Sequence, residues 1–178
     1  MHPVEIQNTL DTMTIIVDSR EQDTAQARRR YESFGCPWER DKLDFGDYSA
    51  AFTMPGGSKF ELRNHAVIER KMSLDELCGC YTHDRARFER EFERAKEAGA
   101  RVYLLVENAS WEMAYNGKYR SKMKPAALVA SMLAWSARYD CRIIMCKAET
   151  SGKLIRDILY REAKERLEEK GNEGISSV

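Results

Sequence analysis

Apolar and polar positions along this chain come in short bursts, and the period of the bursts changes from two to nearly four and back. Thr14-Ile15-Ile16-Val17 is a β-branched run that predicts a buried strand. Tyr48 to Phe52, entered through Gly46-Asp47, predicts a second. Pro55-Gly56-Gly57 turns the chain, so that Lys59 to Leu62 returns as the other half of a hairpin. Ala66-Val67-Ile68 opens a strand that runs on to Lys71. Val102 to Val106 is the strongest strand signal, and Arg142 to Cys146 is the last.

Helical spacing fills the gaps. Asp23 with Gln26 resembles a capping box, Gly35 is a stop signal, and a helix over Thr24 to Phe34 follows. Ser73 with Glu76 opens another helix by the same pattern. Asp84 to Ala98 places Phe88, Phe92 and Ala95 on one face, with Gly99 after its end. Pro125 begins a helix to Tyr139 with two apolar stripes, Leu128-Met132-Trp135 and Val129-Leu133. Two stripes predict burial on two sides, either inside one subunit or across a homodimer or heterodimer interface. A charged helix over about Lys153 to Lys170 buries Leu154, Ile155, Ile158 and Leu159. Residues 1–12 are polar and unpatterned and read as a flexible tail, as do residues 171–178. Trp111 to Lys124 reads as a polar connection. Strands first and interleaved helices later predict an α/β three-layer sandwich, a mixed central sheet flanked by helices, as one domain over residues 13–170.

Composition narrows this picture modestly. The 178 residues are 43% hydrophobic and 33% charged, with 29 basic against 29 acidic side chains. Zero net charge gives no global argument for nucleic-acid binding, so any such argument rests on local patches. Five cysteines, an odd number, and no secretory signal predict a reducing, intracellular setting. Cys78 and Cys80 with His83 nearby lack a second matching pair for zinc and read as buried thiols on a helix.

Candidate chemistry concentrates on the Ala66–Lys71 strand. Residues i and i+2 share a strand face, so Glu69 and Lys71 point together and Arg70 points away. Adjacent charges on an apolar strand are costly to bury without a partner, and a metal ion or a phosphate supplies one. An ordinary ion pair is the plainer alternative.

Val17-Asp18-Ser19-Arg20-Glu21, then Gly46-Asp47-Tyr48, then Glu69-Arg70-Lys71 with Asp75 four residues on, resembles the XPF-type nuclease domain. That family reads V-D-x-R-E, G-D-Y and E-R-K-x-x-x-D, and the order and approximate spacing match over residues 14–75. The resemblance implies a restriction-endonuclease-like fold and magnesium- or manganese-dependent cutting of branched, flap or fork DNA. It implies Asp47 and Glu69 as metal ligands, with Lys71 orienting or polarising the attacking water or holding a phosphate oxygen. Asp18 and Asp75 would complete the acidic cluster, and Arg20, Glu21 and Arg70 would support it. The family's usual tandem helix-hairpin-helix has no counterpart in residues 149–178. Its Gly-Arg and Gln in the helix after the second motif are replaced here by Asp84-Arg85-Ala86-Arg87, with no glutamine.

Each residue also has a plainer reading. Asp75 sits in a first helical turn, where the dipole favours a carboxylate by about 0.3–1 kcal/mol. Asp18 can end a strand and pair with Arg20. Arg28-Arg29-Arg30 reads as a solvated helix face. Lys118, Arg120, Lys122 and Lys124 surround Tyr119 in a segment without acidic residues, which suits contact with a DNA backbone or a mobile surface loop. Two rivals to a nuclease that prefers branched DNA stay open. One is an inert DNA-binding or scaffolding partner of an active subunit, and the other is a general DNA or RNA hydrolase.

Overall fold

The computed structural model describes residues 1–173. A seven-stranded mixed sheet carries helices on both faces, the three-layer α/β sandwich the alternating bursts predict. Its strands are β1 (Thr14–Asp18), β2 (Trp38–Asp41), β3 (Tyr48–Thr53), β4 (Lys59–Glu61), β5 (Ala66–Lys71), β6 (Arg101–Glu107) and β7 (Arg142–Cys146). Their order is β2-β1-β3-β5-β6-β7, with β4 beside the end of β3. The β5–β6–β7 half is parallel, as its helical crossovers require, and β3 runs antiparallel to β1, β4 and β5. The helices are α1 (Pro3–Leu10), α2 (Ala25–Glu32), α3 (Leu74–Tyr81), α4 (Arg85–Glu97), α5 (Trp111–Tyr115), α6 (Pro125–Tyr139) and α7 (Ala148–Glu173).

Strand alternation sorts the core into two layers. Val67 on β5 and Val102, Leu104 and Val106 on β6 pack under α3, α4, α5 and α6. Ile68, Tyr103 and Leu105 point the other way, against α1, α2 and α7. The first layer holds an aromatic cluster in which Phe88 stacks on Trp135 at 5.7 Å and meets Phe92 edge-on at 4.8 Å. That cluster fixes α4 against the sheet.

Four expectations need correction. Residues 1–12 are not a loose tail: His2 and Glu5 form a capping box, and α1 buries Ile6, Thr9 and Leu10 beside α7. Three buried positions in eight residues are too few to show a period. Strand β2 is absent from the hydrophobic pattern because all four of its residues are exposed, as suits a charged edge strand. The connection after β6 contains α5, capped by Ser110. The second stripe on α6 is split, with Val129 buried in the core and Leu133 51% exposed. Of the expected frayed end, residues 171–173 are the last turn of α7, and residues 174–178 lie outside the described residues. Among the described residues no helix is long and apolar enough to cross a membrane.

The start of α7 seats against α2 through Gly152. A Cβ there would lie 1.9 Å from Ser33 Oγ and 2.5 Å from the Arg30 carbonyl oxygen. Backbone cannot yield as a side-chain tip can, so Gly152→Ala should destabilise the fold by about 2 kcal/mol or more in a urea titration. A midpoint equal to the parent's would show that the two helices are not in the contact described.

Candidate active site

The carboxylates gather at the carboxyl end of β5. Gly46 adopts a left-handed φ of 74°, and a Cβ there would fall 2.8 Å from Val67 Cβ. Only glycine makes this turn without strain, and the turn delivers Asp47 to β5. The Asp47 backbone N–H donates to the Ile68 carbonyl at 2.8 Å, and Asp47 Oδ2 accepts from the Arg70 backbone N–H at 2.7 Å. The Gly46 N–H donates to Glu91 Oε1 on α4 at 3.0 Å, which ties the turn from the other side.

Glu69 and Lys71 lie on the α4 face of β5, as the two-residue period requires. Lys71 Nζ donates to Glu69 Oε1 at 2.5 Å and sits 5.3 Å from the centre of the Phe88 ring. Both side chains are buried, and Glu69 Oε2 has no hydrogen-bond partner. An orphaned carboxylate oxygen in a buried position is a site short of one positive partner. A cavity of about 240 Å3 opens there, lined by Asp18, Glu21, Asp47, Glu69 and Glu91, with Arg20, Lys71, Arg87 and Arg94 among them.

The electrostatics follow from crowding. Burial pushes the Asp47 carboxyl up to about 6, against the pull of Lys71. Burial and the Asp47 charge raise Glu69 well above the ordinary range, against Lys71 again. Burial works against the Lys71 charge, but the Glu69 and Asp47 carboxylates outweigh it and hold the side chain as an ammonium. Asp18 differs. Burial alone would raise it, yet side-chain and backbone hydrogen bonds from Arg20 hold it below the usual range. Arg20 Nη2 lies 2.5 Å from Asp18 Oδ2, and Arg20 N and Nε both reach Oδ1.

The other face of the sheet braces this pocket. Arg70 points away from Glu69 and pairs with Glu107 and Glu21, each at 3.2 Å. Arg30 is buried, not solvated: it reaches Glu107 at 3.1 Å, the Tyr48 hydroxyl at 3.1 Å and Glu21 at 3.7 Å. The Tyr48 hydroxyl donates to Glu21 at 2.8 Å. Two arginines and two glutamates therefore close a balanced network behind the acidic pocket.

The structure thus brings Asp18, Arg20, Glu21, Asp47, Glu69 and Lys71 together, with the Arg70 backbone beneath them. It does not bring Asp75, which is absent from the pocket lining. Asp75 Oδ1 accepts from the backbone N–H groups of Arg120 and Ser121, both at 2.7 Å, and Oδ2 lies 3.6 Å from Arg120 Nε. It therefore pins the basic loop. Lys118, Arg120, Lys122 and Lys124 all point outward and exposed, alternating with Tyr119, Ser121 and Met123, which face inward. None of the four lines the pocket. Glu91, Arg87 and Arg94 were missed. They form a polar stripe on α4 about 100° around the helix from Phe88, Phe92 and Ala95, a period visible in the sequence without its destination. Glu107, which closes the strongest strand, was missed as the partner of Arg30. Among the described residues no group of three or more His, Cys, Asp or Glu side chains is arranged to hold a metal ion, Cys78, Cys80 and His83 included.

A mixed sheet flanked by helices is also the fold of two solved XPF structures. These two solved structures, XPF from Aeropyrum pernix and XPF from Aeropyrum pernix in complex with DNA, superimpose with TM-scores of 0.57 and 0.59 at 20% identity. The matches cover 82% and 86% of this chain, but 64% and 66% of those chains, so it spans just under two thirds of their length. The model of the ERCC4 domain matches residues 17–158, and the chain belongs to that family. No curated protein matches it.

Two tests separate these roles. In EDTA, Asp47→Asn keeps the acceptor for the Arg70 N–H and removes one of two crowded carboxylates. The folded-state value of about 6 exceeds the ordinary 3.8, so ionisation of Asp47 opposes folding above about pH 6 and not below about pH 4. The variant should be more stable than the parent at pH 7.5 by on the order of 1 kcal/mol, with the gain vanishing near pH 4. A loss of stability at pH 7.5 would contradict the crowding. Asp75→Asn also keeps its acceptor and should leave proteolysis of segment 117–124 unchanged, whereas Asp75→Ala should speed it severalfold. Equal cleavage rates in parent and alanine variant would show that Asp75 does not hold the loop.

Proposed function

We propose that this chain hydrolyses phosphodiester bonds of DNA with a divalent cation, at branched, flap or fork structures. The observation that carries the reading is the unpartnered Glu69 oxygen, buried beside Asp47 and Lys71. Asp47 and Glu69 are hard oxygen donors whose mutual repulsion a cation would relieve. Magnesium or manganese suits them, because magnesium keeps several waters and uses only one or two protein carboxylates. When bound, the cation would acidify a water and neutralise charge on the scissile phosphate.

The chain's own residues supply the rest. Lys71, held as an ammonium, is suited to gripping a phosphate oxygen rather than accepting a proton. Arg20, Arg87 and Arg94 offer phosphates a positive rim above the carboxylates. Glu91 and the Arg70 N–H fix Asp47, so little reorganisation is needed at the moment of reaction. The loop carrying Lys118, Arg120, Lys122 and Lys124 adds a second, exposed contact for the DNA backbone. A homodimer or heterodimer through α6 would rest on the exposed Leu133.

An inert DNA-binding partner would keep the rim and the loop without needing the crowded carboxylates, which favours the active reading. Labelled duplex, flap, fork and four-way junction, each with Mg2+, with EDTA and with Asp47→Asn, test it. Flap or fork should be cut in Mg2+, with EDTA or the substitution lowering the rate by about 10²-fold or more. Binding without cutting under every condition would support the inert partner. Cutting that survives both treatments would refute the proposed chemistry.

A further inference from the structure

The charge network behind the pocket is completed by a residue that the pocket never touches. Arg30 lies on α2, across the sheet from Glu69 and Lys71, and is absent from the pocket lining. Its Nε donates to Glu107 Oε1 at 3.1 Å, while Arg70 Nη1 donates to Glu107 Oε2 at 3.2 Å. A fully buried carboxylate therefore bridges two guanidiniums, one oxygen to each. Arg30 Nη1 donates to the Tyr48 hydroxyl at 3.1 Å, and that hydroxyl donates on to Glu21 Oε1 at 2.8 Å. Arg70 Nη2 donates to the same Glu21 oxygen at 3.2 Å, and Arg30 Nη1 approaches it to 3.7 Å.

This network meets the pocket at two points. All three Glu21 contacts fall on Oε1, which leaves Oε2 to the pocket that Glu21 also lines. Arg70 stands between Glu69 and Lys71 on β5, and its N–H holds Asp47 Oδ2 at 2.7 Å. The Arg70 guanidinium is itself held by Glu21 and Glu107 alone, since its Nε has no partner. Charge decides what Arg30 adds. With it, two carboxylates meet two guanidiniums. Without it, Arg70 faces both carboxylates, and Glu107 Oε1 is left buried and unpaired. Glu107 is the more deeply buried of the two, so it draws Arg70 away from Glu21. That shift loosens both Glu21 and the strand segment that holds Asp47.

We infer that Arg30 is a positioning residue of the proposed cleavage. By balancing Glu21 and Glu107 it fixes Arg70 and, through the Arg70 N–H, the Asp47 carboxylate at the cation site. The inference rests on the nuclease reading above and deepens it, because a helix with no side chain in the pocket then sets the pocket's geometry.

Arg30→Met removes the charge and keeps most of the length of the side chain. Arg30→Met combined with Glu107→Gln restores the balance, with Arg70 facing Glu21 alone. Ile6→Ala strips a buried side chain from α1 and serves as a destabilised control. Mn2+ affinity without DNA is read by electron paramagnetic resonance, and flap cleavage gives kcat and KM, all well below each melting temperature. Arg30→Met should bind Mn2+ about tenfold more weakly and lower kcat by about as much, with KM changed less than about twofold. The double variant should regain most of both, and Ile6→Ala should lose neither. Parent-like Mn2+ binding in folded Arg30→Met would overturn the inference and leave the nuclease reading standing. So would a loss that Ile6→Ala shares, the mark of general loosening, or a loss that the double variant does not recover. If Arg30→Met does not fold, Arg30→Lys carries the test. Its single ammonium cannot replace the guanidinium fork between Glu107 and Tyr48, so Mn2+ should bind about threefold more weakly, and parent-like binding would overturn the inference. If the parent binds Mn2+ yet cuts nothing, and the loss and recovery of binding still appear, the hold of Arg30 on the cation site stands and the nuclease reading falls. A parent that binds no Mn2+ takes both down.

Discussion

Three charges on one pleated face set the terms for this protein. Asp47, Glu69 and Lys71 crowd a buried corner where two carboxylates face one ammonium, and the imbalance shows in the raised carboxyls and the orphaned Glu69 oxygen. A fold under selection for stability alone would neutralise such a corner with apolar side chains. This one surrounds it with restraints instead. Gly46 turns the chain toward β5, Glu91 ties down that turn, the Arg70 N–H binds Asp47, and the Phe88–Trp135 cluster holds α4 over Lys71. Strain of this kind, confined by rigid surroundings, marks sites built for a ligand.

The strand period makes the arrangement possible. Because successive side chains leave opposite faces, Glu69 and Lys71 enter the pocket while Arg70 between them enters the network behind it. Arg70 thus serves the site twice, through its N–H on Asp47 and through its guanidinium on Glu21 and Glu107. Glu21 closes the circuit, since it lines the pocket and also accepts from Tyr48 and Arg70. The ion network lies within the second core layer and connects the turn after β1 with β3, β5, β6 and α2 through side chains rather than sheet hydrogen bonds alone.

Much of this was legible in the sequence, for identifiable reasons. Strands β1, β3, β5, β6 and β7 announce themselves as apolar bursts because helices cover both faces of the sheet, whichever way a strand runs. The site strand was readable because two charges interrupt such a burst at a spacing that only one secondary structure places on one side. What was missed depends on tertiary contact. Arg30 looks like its neighbours Arg28 and Arg29, and nothing local says that it alone meets Glu107, 77 residues away. Asp75 matches a motif and a helix-dipole position equally well, yet the structure gives it to the backbone of a loop 45 residues on. Strand β2 and helix α1 carry too few buried positions to show a period, and each owes its order to a neighbour it packs against.

The central claim is that the corner between Asp47 and Glu69 takes a divalent cation. Anomalous diffraction from crystals grown with Mn2+ tests it most directly. The account predicts a manganese peak in bonding range of both carboxylates, lost in Asp47→Asn crystals. Crystals of a protein that cuts DNA in manganese, with no metal between those side chains or with the metal bound elsewhere, would contradict it.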